Sequence, residues 1–323
     1  MNAPPDRRLG LLALAGVPGD RITEWLDRAE AFLAGSDAPQ ADFGGEAPLA
    51  GRIVAHLFME DSTRTRLSFE VATMRLGGRV IAATAAGSSI SKGESLLDTA
   101  RNLAAMGVDA IVVRTGASGG AAQIAQRLDV PVVNGGDGRH EHPTQALLDL
   151  LTLRRAMGSL KGVRVGIVGD IANSRVARSD VHGLLAVGAE PVLIGPPTLV
   201  PPSLAGLAAG GRGGPIAIEH DFDRALPTLG AVIMLRMQRE RAAAGAVAAD
   251  YPKGYRLSRE RASKMPDHAP ILHPGPVNRG YEIEPEVADD PRRSLVLRQV
   301  GHGVAVRMAV LESLVGGWAS KRS

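Results

Sequence analysis

The pattern of apolar and polar positions changes repeatedly along the first half of the chain. Short apolar runs rich in β-branched residues are separated by longer stretches with helical periodicity. The predicted elements, in order, are strand 52–58, helix 62–76, strand 79–83, helix 95–106, strand 110–114, helix 121–128 and strand 131–134. Strands that alternate with helices in this way are typical of βαβ units, which form a parallel sheet covered by helices.

The same alternation restarts after a long apolar-striped helix at 143–157. The second half is predicted to contain strand 163–168, helix 174–187 and strands 191–194, 231–235 and 270–272. The chain therefore predicts an α/β protein with two doubly wound domains, each with a central parallel sheet flanked by helices. We place the domains at 1–157 and 158–299, and expect an apolar C-terminal helix within 300–323 to pack back onto the first domain.

Two segments do not follow this alternation. The apolar residues 9–17 follow Arg7 and Arg8, as in a targeting sequence. Because a turn and an amphipathic helix at 21–33 come next, we interpret the segment as structural, with a cleaved signal peptide as the alternative. The stretch 239–267 is charged and contains few large apolar residues, so it predicts a mobile flap.

Composition narrows the classes of function. Lys and Arg number 37 against 34 for Asp and Glu, and this small excess is spread along the chain, so a nucleic-acid-binding arm is not indicated. With 2 Trp, 3 Tyr and 5 Phe, the chain has few aromatic platforms for stacking bases, which favours a small polar substrate. The absence of cysteine removes disulfides and thiolate chemistry, and no apolar run is long enough to span a bilayer.

A polar segment at 60–66 lies directly between a predicted strand and a predicted helix. Its hydroxyl and cationic side chains belong to Ser62, Thr63, Arg64, Thr65 and Arg66. A helix start offers unpaired N–H groups and a positive dipole end, and a guanidinium can bind phosphate through two parallel hydrogen bonds. The segment predicts a phosphate-binding cradle; the alternative is that Asp61 or Ser62 only caps the helix.

Known nucleotide-binding loops do not account for the chain. It contains no G-x-x-x-x-G-K-[ST] motif, and the turn that begins at Gly166 does not fit G-x-G-x-x-G. The interpretations as an ATPase or as a dinucleotide-binding protein therefore lose their main support.

A second candidate segment, 137–145, joins a predicted strand to the long helix. His142 lies just before the helix N-terminus, where the dipole disfavours protonation, so it can donate a hydrogen bond as a neutral imidazole. Gln145 presents an amide one turn further on. His140, Glu141 and His142 also permit a zinc interpretation, although they lack the i, i+4 spacing of helical ligands.

Single arginines lie at the ends of predicted elements. Arg114 and Arg236 each end an apolar strand, and Arg175 opens a helix. Because ligands of open α/β sheets bind at the carboxyl ends of the strands, the three arginines together predict an anion-binding pocket. The alternative is that each is a salt-bridged residue at an edge.

Two loops complete the candidate set. The loop 88–94 contains small polar residues and Lys92, and is either a solvated loop or an anion-binding lid. The segment His273-Pro274-Gly275-Pro276 fixes backbone carbonyl groups that can accept hydrogen bonds from a substrate NH₂ group.

Four of these segments, taken in order, resemble the transcarbamoylase family: Ser62-Thr63-Arg64-Thr65-Arg66, His142-Pro143-Thr144-Gln145, Arg236-Met237-Gln238 and His273-Pro274-Gly275-Pro276. The resemblance covers nearly the whole chain and is closest to the aspartate-specific members. Ornithine-specific members carry a cysteine in a His-Cys-Leu-Pro segment and a Ser-Met-Gly loop, and this chain has neither.

The resemblance implies a role for each matching residue. The catalytic groups would be Arg64, Thr65, Arg114 and His142. Carbamoyl phosphate would bind to Ser62, Thr63, Arg64, Thr65, Arg114, His142, Gln145, Gly275 and Pro276. Aspartate would bind to Lys92, Arg175, Arg236 and Gln238, with Ser88 and Lys92 supplied by an adjacent subunit. Carbamoyl phosphate and aspartate together carry about four negative charges. Five cationic side chains in this set would face them: Arg64, Arg114, Arg175, Arg236 and Lys92.

The resemblance also implies the setting of the reaction. The first domain would bind carbamoyl phosphate and the second L-aspartate, in a cytoplasmic homotrimer that acts early in de novo pyrimidine biosynthesis. No cofactor, metal, nucleic acid or membrane is implied, and a regulatory or dihydroorotase-like chain is left open as a partner. The alternatives are a transcarbamoylase for another amino acid and a non-catalytic member that binds ligands.

Overall fold

The chain forms two compact units. A computed structural model describes residues 10–40, 43–84, 93–208, 214–237 and 246–316, with residues 246–249 described by their backbone. Unit 1 takes in the chain up to Leu14, Thr23–Leu147 and the chain from Val300 onward. Unit 2 takes in Ala15–Ile22 and Leu148–Gln299.

Unit 1 is built on a five-stranded parallel sheet with the order β1-β5-β4-β2-β3. Its strands are β1 Gly10–Leu11, β2 Ile53–Phe58, β3 Arg79–Thr84, β4 Ala110–Thr115 and β5 Val132–Asp137. The helices of this part of the chain are α1 Gly19–Leu33, α2 Thr63–Arg75, α3 Leu96–Ala105, α4 Gly120–Ala125 and α5 Pro143–Met157, of which α5 belongs to unit 2 from Leu148 onward.

Two inner strands of this sheet, β2 and β4, are apolar along almost their whole length. β2 and β4 are buried from Val54 to Phe58 and from Ala110 to Val113. Continuous apolar strands are expected where helices cover both faces of a parallel sheet. One side of the sheet packs in a cluster that includes Leu57, Leu103, Ile111, Val113, Ile124 and Val132.

Unit 2 repeats the architecture with the strand order β10-β9-β6-β7-β8, also parallel. The strands are β6 Arg164–Val168, β7 Glu190–Ile194, β8 Ala217–Glu219, β9 Ala231–Met234 and β10 Ile271–Leu272. Its helices are α6 Arg175–Ala186, α7 Phe222–Ala225, α8 Ala246–Tyr255, α9 Arg259–Ala262 and α10 Pro285–Ala288. The last helix, α11 Val296–Leu311, begins in unit 2 and belongs to unit 1 from Val300 onward. The predicted fold class is thereby confirmed.

The structure differs from the sequence prediction in the segment 239–267. Where this segment is described, it forms α8 and α9 rather than a flap. Tyr251, Leu257 and Met265 are each at most 3% exposed. These few apolar residues are spaced so that they reach the core of unit 2, which outweighs the local charge and the helix-breaking residues.

The N-terminal apolar segment contributes to the sheet of unit 1. Gly10 and Leu11 pair in parallel register with Val132 and Val133 of β5. This agrees with the structural interpretation of the segment. In the described part of the chain, no helix is both long enough and apolar enough to cross a membrane.

Candidate functional site

The start of α2 lies just after the carboxyl end of β2. Ser62 is the N-cap residue of α2, and its side chain makes no capping hydrogen bond. Thr63 and Arg64 follow in the first turn, and both are exposed. The capping alternative is therefore wrong for Ser62, and the hydroxyls lie beside first-turn N–H groups that a bound oxyanion can accept from.

Thr65 and His142 lie together at this edge of unit 1. The Thr65 hydroxyl is 3.4 Å from His142 Nε2, and both residues are buried. His142 immediately precedes α5, as predicted, and its carbonyl accepts the Gln145 N–H at 3.0 Å. The two predicted segments, 60–66 and 137–145, are thus brought together through one side-chain contact.

Arg114 lies at the end of β4, which is placed between β5 and β2 in the sheet. Its Nη1 donates to the carbonyl of Gly135 at 3.0 Å, and its Nε lies 3.7 Å from Glu60 Oε2. These two partners hold the plane of the guanidinium. The carboxyl ends of parallel strands lie at the same edge of a sheet, so Arg114 lies at the edge where Thr65 and His142 also lie.

Glu60 was not among the candidates from the sequence. Its position directly before the hydroxyl-rich segment was the one available signal, but the sequence does not show which cation it would meet. Its contact with Arg114 depends on the order of the strands, and sequence periodicity does not determine that order.

The three residues considered for zinc have different partners. His140 Nδ1 lies 3.1 Å from Asp137 Oδ2, and Glu141 Oε2 accepts the Leu14 N–H at 2.6 Å. Burial raises the pKa of Asp137, but hydrogen bonds from His140 and Asn134 bring that pKa below its ordinary value. Within the described residues, no group of three His, Cys, Asp or Glu side chains is placed to hold a metal.

Unit 2 places two of the predicted arginines at the carboxyl edge of its own sheet. Arg175 is the first residue of α6 and is 9% exposed. Its helix is capped by Ser174, whose hydroxyl accepts the Ala177 N–H at 3.1 Å. Arg236 follows β9, the neighbour of β6 in the sheet. Arg175 is therefore placed by a helix start and Arg236 by a strand end, as the sequence predicted.

The segment 273–276 follows β10, which pairs with β9. The Gly275 N–H donates to His273 Nδ1 at 2.8 Å. This hydrogen bond from the backbone to the imidazole closes a tight turn between the two residues. Gly275 has φ +64°, a left-handed conformation that favours glycine over any residue with a Cβ atom.

Two side chains that the sequence did not single out hold this turn. Gln299 Oε1 accepts the His273 backbone N–H at 2.9 Å, and Glu282 Oε1 lies 3.1 Å from His273 Nε2. Gln299 and Glu282 are 26 and 9 residues away from His273, and no local motif links them to it.

Three predicted site residues, Ser88, Lys92 and Gln238, lie outside the described residues. Their roles remain predictions.

The fold and these two edges define a two-unit α/β protein in which hydroxyl, imidazole and guanidinium side chains lie at the carboxyl edge of each sheet or at the helix starts beside it. Residues 10–155 match the family model described as "Aspartate/ornithine carbamoyltransferase, carbamoyl-P binding domain". Residues 161–314 match the family model described as "Aspartate/ornithine carbamoyltransferase, Asp/Orn binding domain". The chain belongs to the aspartate/ornithine carbamoyltransferase family.

Individual relatives are similar over almost the whole chain. An aspartate carbamoyltransferase catalytic subunit from Parafrankia sp. is 48% identical over 97% of this chain and 98% of its own length. The protein of the same name from Granulibacter bethesdensis is 49% identical over 94% of both chains.

Solved structures give the same result for the fold. Aspartate transcarbamoylase from Trypanosoma cruzi, in complex with N-(phosphonacetyl)-L-aspartic acid, has a TM-score of 0.81 at 30% identity, covering 94% of this chain and 95% of that chain. Ornithine carbamoyltransferase from Pyrococcus furiosus has a TM-score of 0.83 at 29% identity, covering 95% and 97% respectively. The fold is therefore shared by both branches of the family, and fold similarity does not choose between their substrates.

Proposed function

We propose that this chain transfers the carbamoyl group of carbamoyl phosphate to the amine of L-aspartate. The observation that carries this proposal is the meeting of the α2 N-terminus, Thr65, His142 and Arg114 at one edge of the unit 1 sheet. Relatives that are 48% and 49% identical to the chain are named for aspartate, which favours aspartate over ornithine.

Unit 1 binds carbamoyl phosphate in this proposal. The phosphate accepts hydrogen bonds from the first turn of α2, from the hydroxyls of Ser62, Thr63 and Thr65, and from Arg64. Arg114, His142 and Gln145 surround the carbonyl and amide of the carbamoyl group. The contacts of Arg114 with Gly135 and Glu60 hold its guanidinium in place before substrate binds.

Unit 2 binds aspartate. Arg175 and Arg236 meet its carboxylates, together with Gln238 and Lys92. Gly275 and Pro276 offer backbone contacts to the carbamoyl NH₂ group, and the left-handed φ of Gly275 sets the direction of these groups. A substrate with two carboxylates suits this set of cations better than ornithine, which carries one carboxylate and a second amine.

The reaction needs no nucleophile from the protein. The neutral amine of aspartate attacks the carbamoyl carbon, so a C–N bond forms and a tetrahedral oxyanion develops. Thr65, Arg114 and His142 stabilise this oxyanion, because their hydrogen-bond donor groups are held in place before the charge develops. The C–O bond to phosphate then breaks, and the amine proton leaves with the phosphate. The products are N-carbamoyl-L-aspartate and hydrogen phosphate.

The assembly in this proposal is a homotrimer in which a neighbouring copy supplies Ser88 and Lys92. Leu67 and Met74 are 45% and 59% exposed on one face of α2, and Ile81 is 38% exposed on the edge strand β3. Exposed apolar residues around a sheet edge support a contact with a second copy of the chain. A cytoplasmic location and a regulatory or dihydroorotase-like partner stay predictions.

The proposal is tested with the purified chain, carbamoyl phosphate and L-aspartate. Carbamoyl aspartate is measured by ureido-group colorimetry and phosphate release is measured in parallel, with equal amounts expected. L-Ornithine and other amino acids serve as matched acceptors and are expected to give no product. Product from another acceptor but not from aspartate would overturn the substrate, and no turnover with any acceptor would revive the non-catalytic alternative.

A further inference from the structure

A buried carboxylate in unit 1, that of Asp137, has no role in the proposed reaction. Asp137 ends β5 and is 1% exposed. Its Oδ1 accepts hydrogen bonds from Asn134 Nδ2 at 2.8 Å and from the Glu141 N–H at 3.1 Å. Its Oδ2 accepts the Gly119 N–H at 2.7 Å. One carboxylate therefore accepts from groups at three places in the chain.

These contacts join the segments that follow two neighbouring strands of the sheet. Gly119 lies after β4 and just before α4, whereas Glu141 lies after β5 and directly before His142. β4 and β5 are paired in the sheet. A second hydrogen bond joins the same two segments, because the Gly138 N–H donates to the Thr115 carbonyl at 2.8 Å. The loop that leads to His142 is thus attached to the end of β4 as well as to its own strand.

The loop 137–141 is also closed by its own backbone. The Asp137 N–H donates to the Glu141 carbonyl at 3.2 Å, and the His140 N–H donates to the Asp137 carbonyl at 2.9 Å. The hydrogen bond from the Glu141 N–H to Asp137 Oδ1 adds a third closure. Together these contacts fix the backbone immediately before His142.

The side chain of Asp137 is suited to this role because it is an anion. Burial raises its pKa, but hydrogen bonds from His140, Asn134 and the Glu141 N–H bring that pKa below its ordinary value. An ionised carboxyl group only accepts hydrogen bonds, and hydrogen bonds to it are stronger than those to a neutral group. An amide in the same place has one acceptor oxygen, so it cannot accept from all of these donors.

We propose that Asp137 is a positioning residue for carbamoyl transfer: its carboxylate fixes the loop 137–141 and so sets the place of the His142 imidazole. The inference rests on the proposed function, which assigns His142 to the oxyanion. His142 Nε2 lies 3.4 Å from the Thr65 hydroxyl, and a small shift of the loop moves this donor away from the developing charge. The loss therefore falls on the transition state rather than on substrate binding.

The kinetic test is Asp137→Asn, which keeps the shape of the side chain and replaces one acceptor oxygen by an NH₂ group. The variant is expected to lower kcat about tenfold or more, because His142 is displaced from the oxyanion. The KM for carbamoyl phosphate and the Kd for inorganic phosphate should stay within about threefold, because phosphate is assigned to the start of α2. A folded variant with wild-type kcat would overturn the proposal.

The matched control makes the same change at the opposite edge of the same sheet. Asp109 lies directly before β4 and is 7% exposed. Its Oδ2 accepts the Ile53 N–H at 2.9 Å, and its Oδ1 lies 3.1 Å from Arg52 Nη1. Asp109→Asn is expected to lower Tm, because it weakens these contacts, and to leave kcat unchanged. An equal loss of kcat in both variants would mean that destabilisation alone accounts for the effect, which would overturn the proposal.

A double-mutant cycle shows whether Asp137 acts through His142. In a His142→Ala background, Asp137→Asn is expected to lower kcat by less than about threefold, because the donor that Asp137 positions is already absent. Multiplication of the two single effects would overturn the proposal. If Asp137→Asn does not fold, Asn134→Ser removes a donor to the same carboxylate and takes its place in the kinetic test, with the same direction of change expected.

Hydrogen–deuterium exchange tests the network without any activity and without a variant. In the wild type, peptides that cover 115–119 and 137–142 should exchange about a hundredfold more slowly than an unstructured peptide, because buried hydrogen-bonded N–H groups exchange only when the structure opens. Exchange of 137–142 at the unstructured rate would overturn the proposal, whether or not Asp137→Asn folds. A wild-type protein with this protection but without carbamoyl transfer to aspartate would instead contradict the proposed function.

Discussion

The hydroxyl of Thr65 lies 3.4 Å from Nε2 of His142, although 77 positions separate the two residues. Thr65 is in the first turn of α2 and His142 immediately precedes α5, so each side chain is fixed by the start of a helix. A hydroxyl and an imidazole held this close can both donate to one oxygen atom of a ligand.

His142→Ala is expected to lower kcat about a hundredfold, since the loss of one donor to a developing oxyanion has an effect of this size. The KM for carbamoyl phosphate should change much less. Steady-state kinetics with both substrates varied give the two parameters.

Thr65→Ser keeps the hydroxyl and serves as the control beside Thr65→Val; equal kcat values for these two variants would contradict the role of the hydroxyl.

Arg64→Ala is expected to remove the strongest contact with the phosphate group. The loss in transition-state stabilisation should be at least about 3 kcal/mol, or about a hundredfold in kcat/KM. Arg75→Ala removes an exposed arginine from the last turn of the same helix and should leave kcat/KM unchanged. Near-normal turnover of Arg64→Ala would show that the phosphate is not bound at this helix start.

Arg236→Ala is expected to raise the KM for aspartate about tenfold or more, because a carboxylate loses its cation. Calorimetry should find the affinity for carbamoyl phosphate unchanged, because that ligand is assigned to unit 1. Arg224→Ala is the control: this exposed arginine of unit 2 pairs with Glu219 at 2.6 Å. A parallel fall in both affinities would mean that the assignment of substrates to units is wrong.

His56 predicts a pH dependence of stability. It is 1% exposed on β2 beside the rings of Phe58 and Phe69, and neither ring nitrogen has a hydrogen-bond partner among the described residues. Burial, followed by the charge of Arg66, lowers the pKa of His56 from 6.5 to about 4.

Between these two pKa values the unfolded chain binds a proton that the folded chain does not. Stability should therefore fall as the pH decreases from about 6.5 to about 4, by about 3 kcal/mol at most. Urea unfolding across this range measures the effect, and His56→Leu should lack this part of the slope. The same slope in both proteins would assign it to other groups.

The shared-site trimer predicts that two inactive variants restore activity when mixed. Lys92→Ala and Arg64→Ala subunits are dissociated, combined and reassociated. Some sites then pair an intact Lys92 from one subunit with an intact Arg64 from another, so a fraction of wild-type activity should return.

The matched control for this mixing experiment combines Arg64→Ala with Arg114→Ala. Both defects then lie in the part of the site that one subunit supplies, so no activity should return. Mixed trimers detected by native mass spectrometry without recovered activity in the Lys92 experiment would rule out a site shared in this way.

Most of the fold follows from periodicity. Helix α5 was predicted at 143–157 and runs from Pro143 to Met157, because its apolar stripe is long and its ends are marked by proline and glycine. Strand β8 was missed, since three residues, Ala217–Glu219, are too short to show a period. The helices at 246–262 were missed because local charge and breakers hid the few apolar residues that reach the core.

The site divides along the same line. The places of Ser62, Arg64 and His142 at helix starts could be predicted, because the residues that begin a helix can be recognised in a sequence. Their roles in binding stay predictions. Glu60, Glu282 and Gln299 could not, because their contacts come from strand order and from distant positions in the chain. The partner of a side chain is a tertiary property, whereas its attachment to a helix start is a local one.

The return of the chain to unit 1 through α11 has a consequence for biosynthesis. Trp25 Nε1 donates to Ser313 Oγ at 3.0 Å, Arg28 pairs with Glu312 at 2.6 Å, and the Arg307 guanidinium lies 5.0 Å from the Phe69 ring centre. Ribosomes usually release domains that fold in N-terminal order. In this protein the domain whose synthesis begins first is completed last. Nascent unit 1 therefore lacks α11, and the surface onto which α11 packs stays uncovered until the whole of unit 2 has been translated.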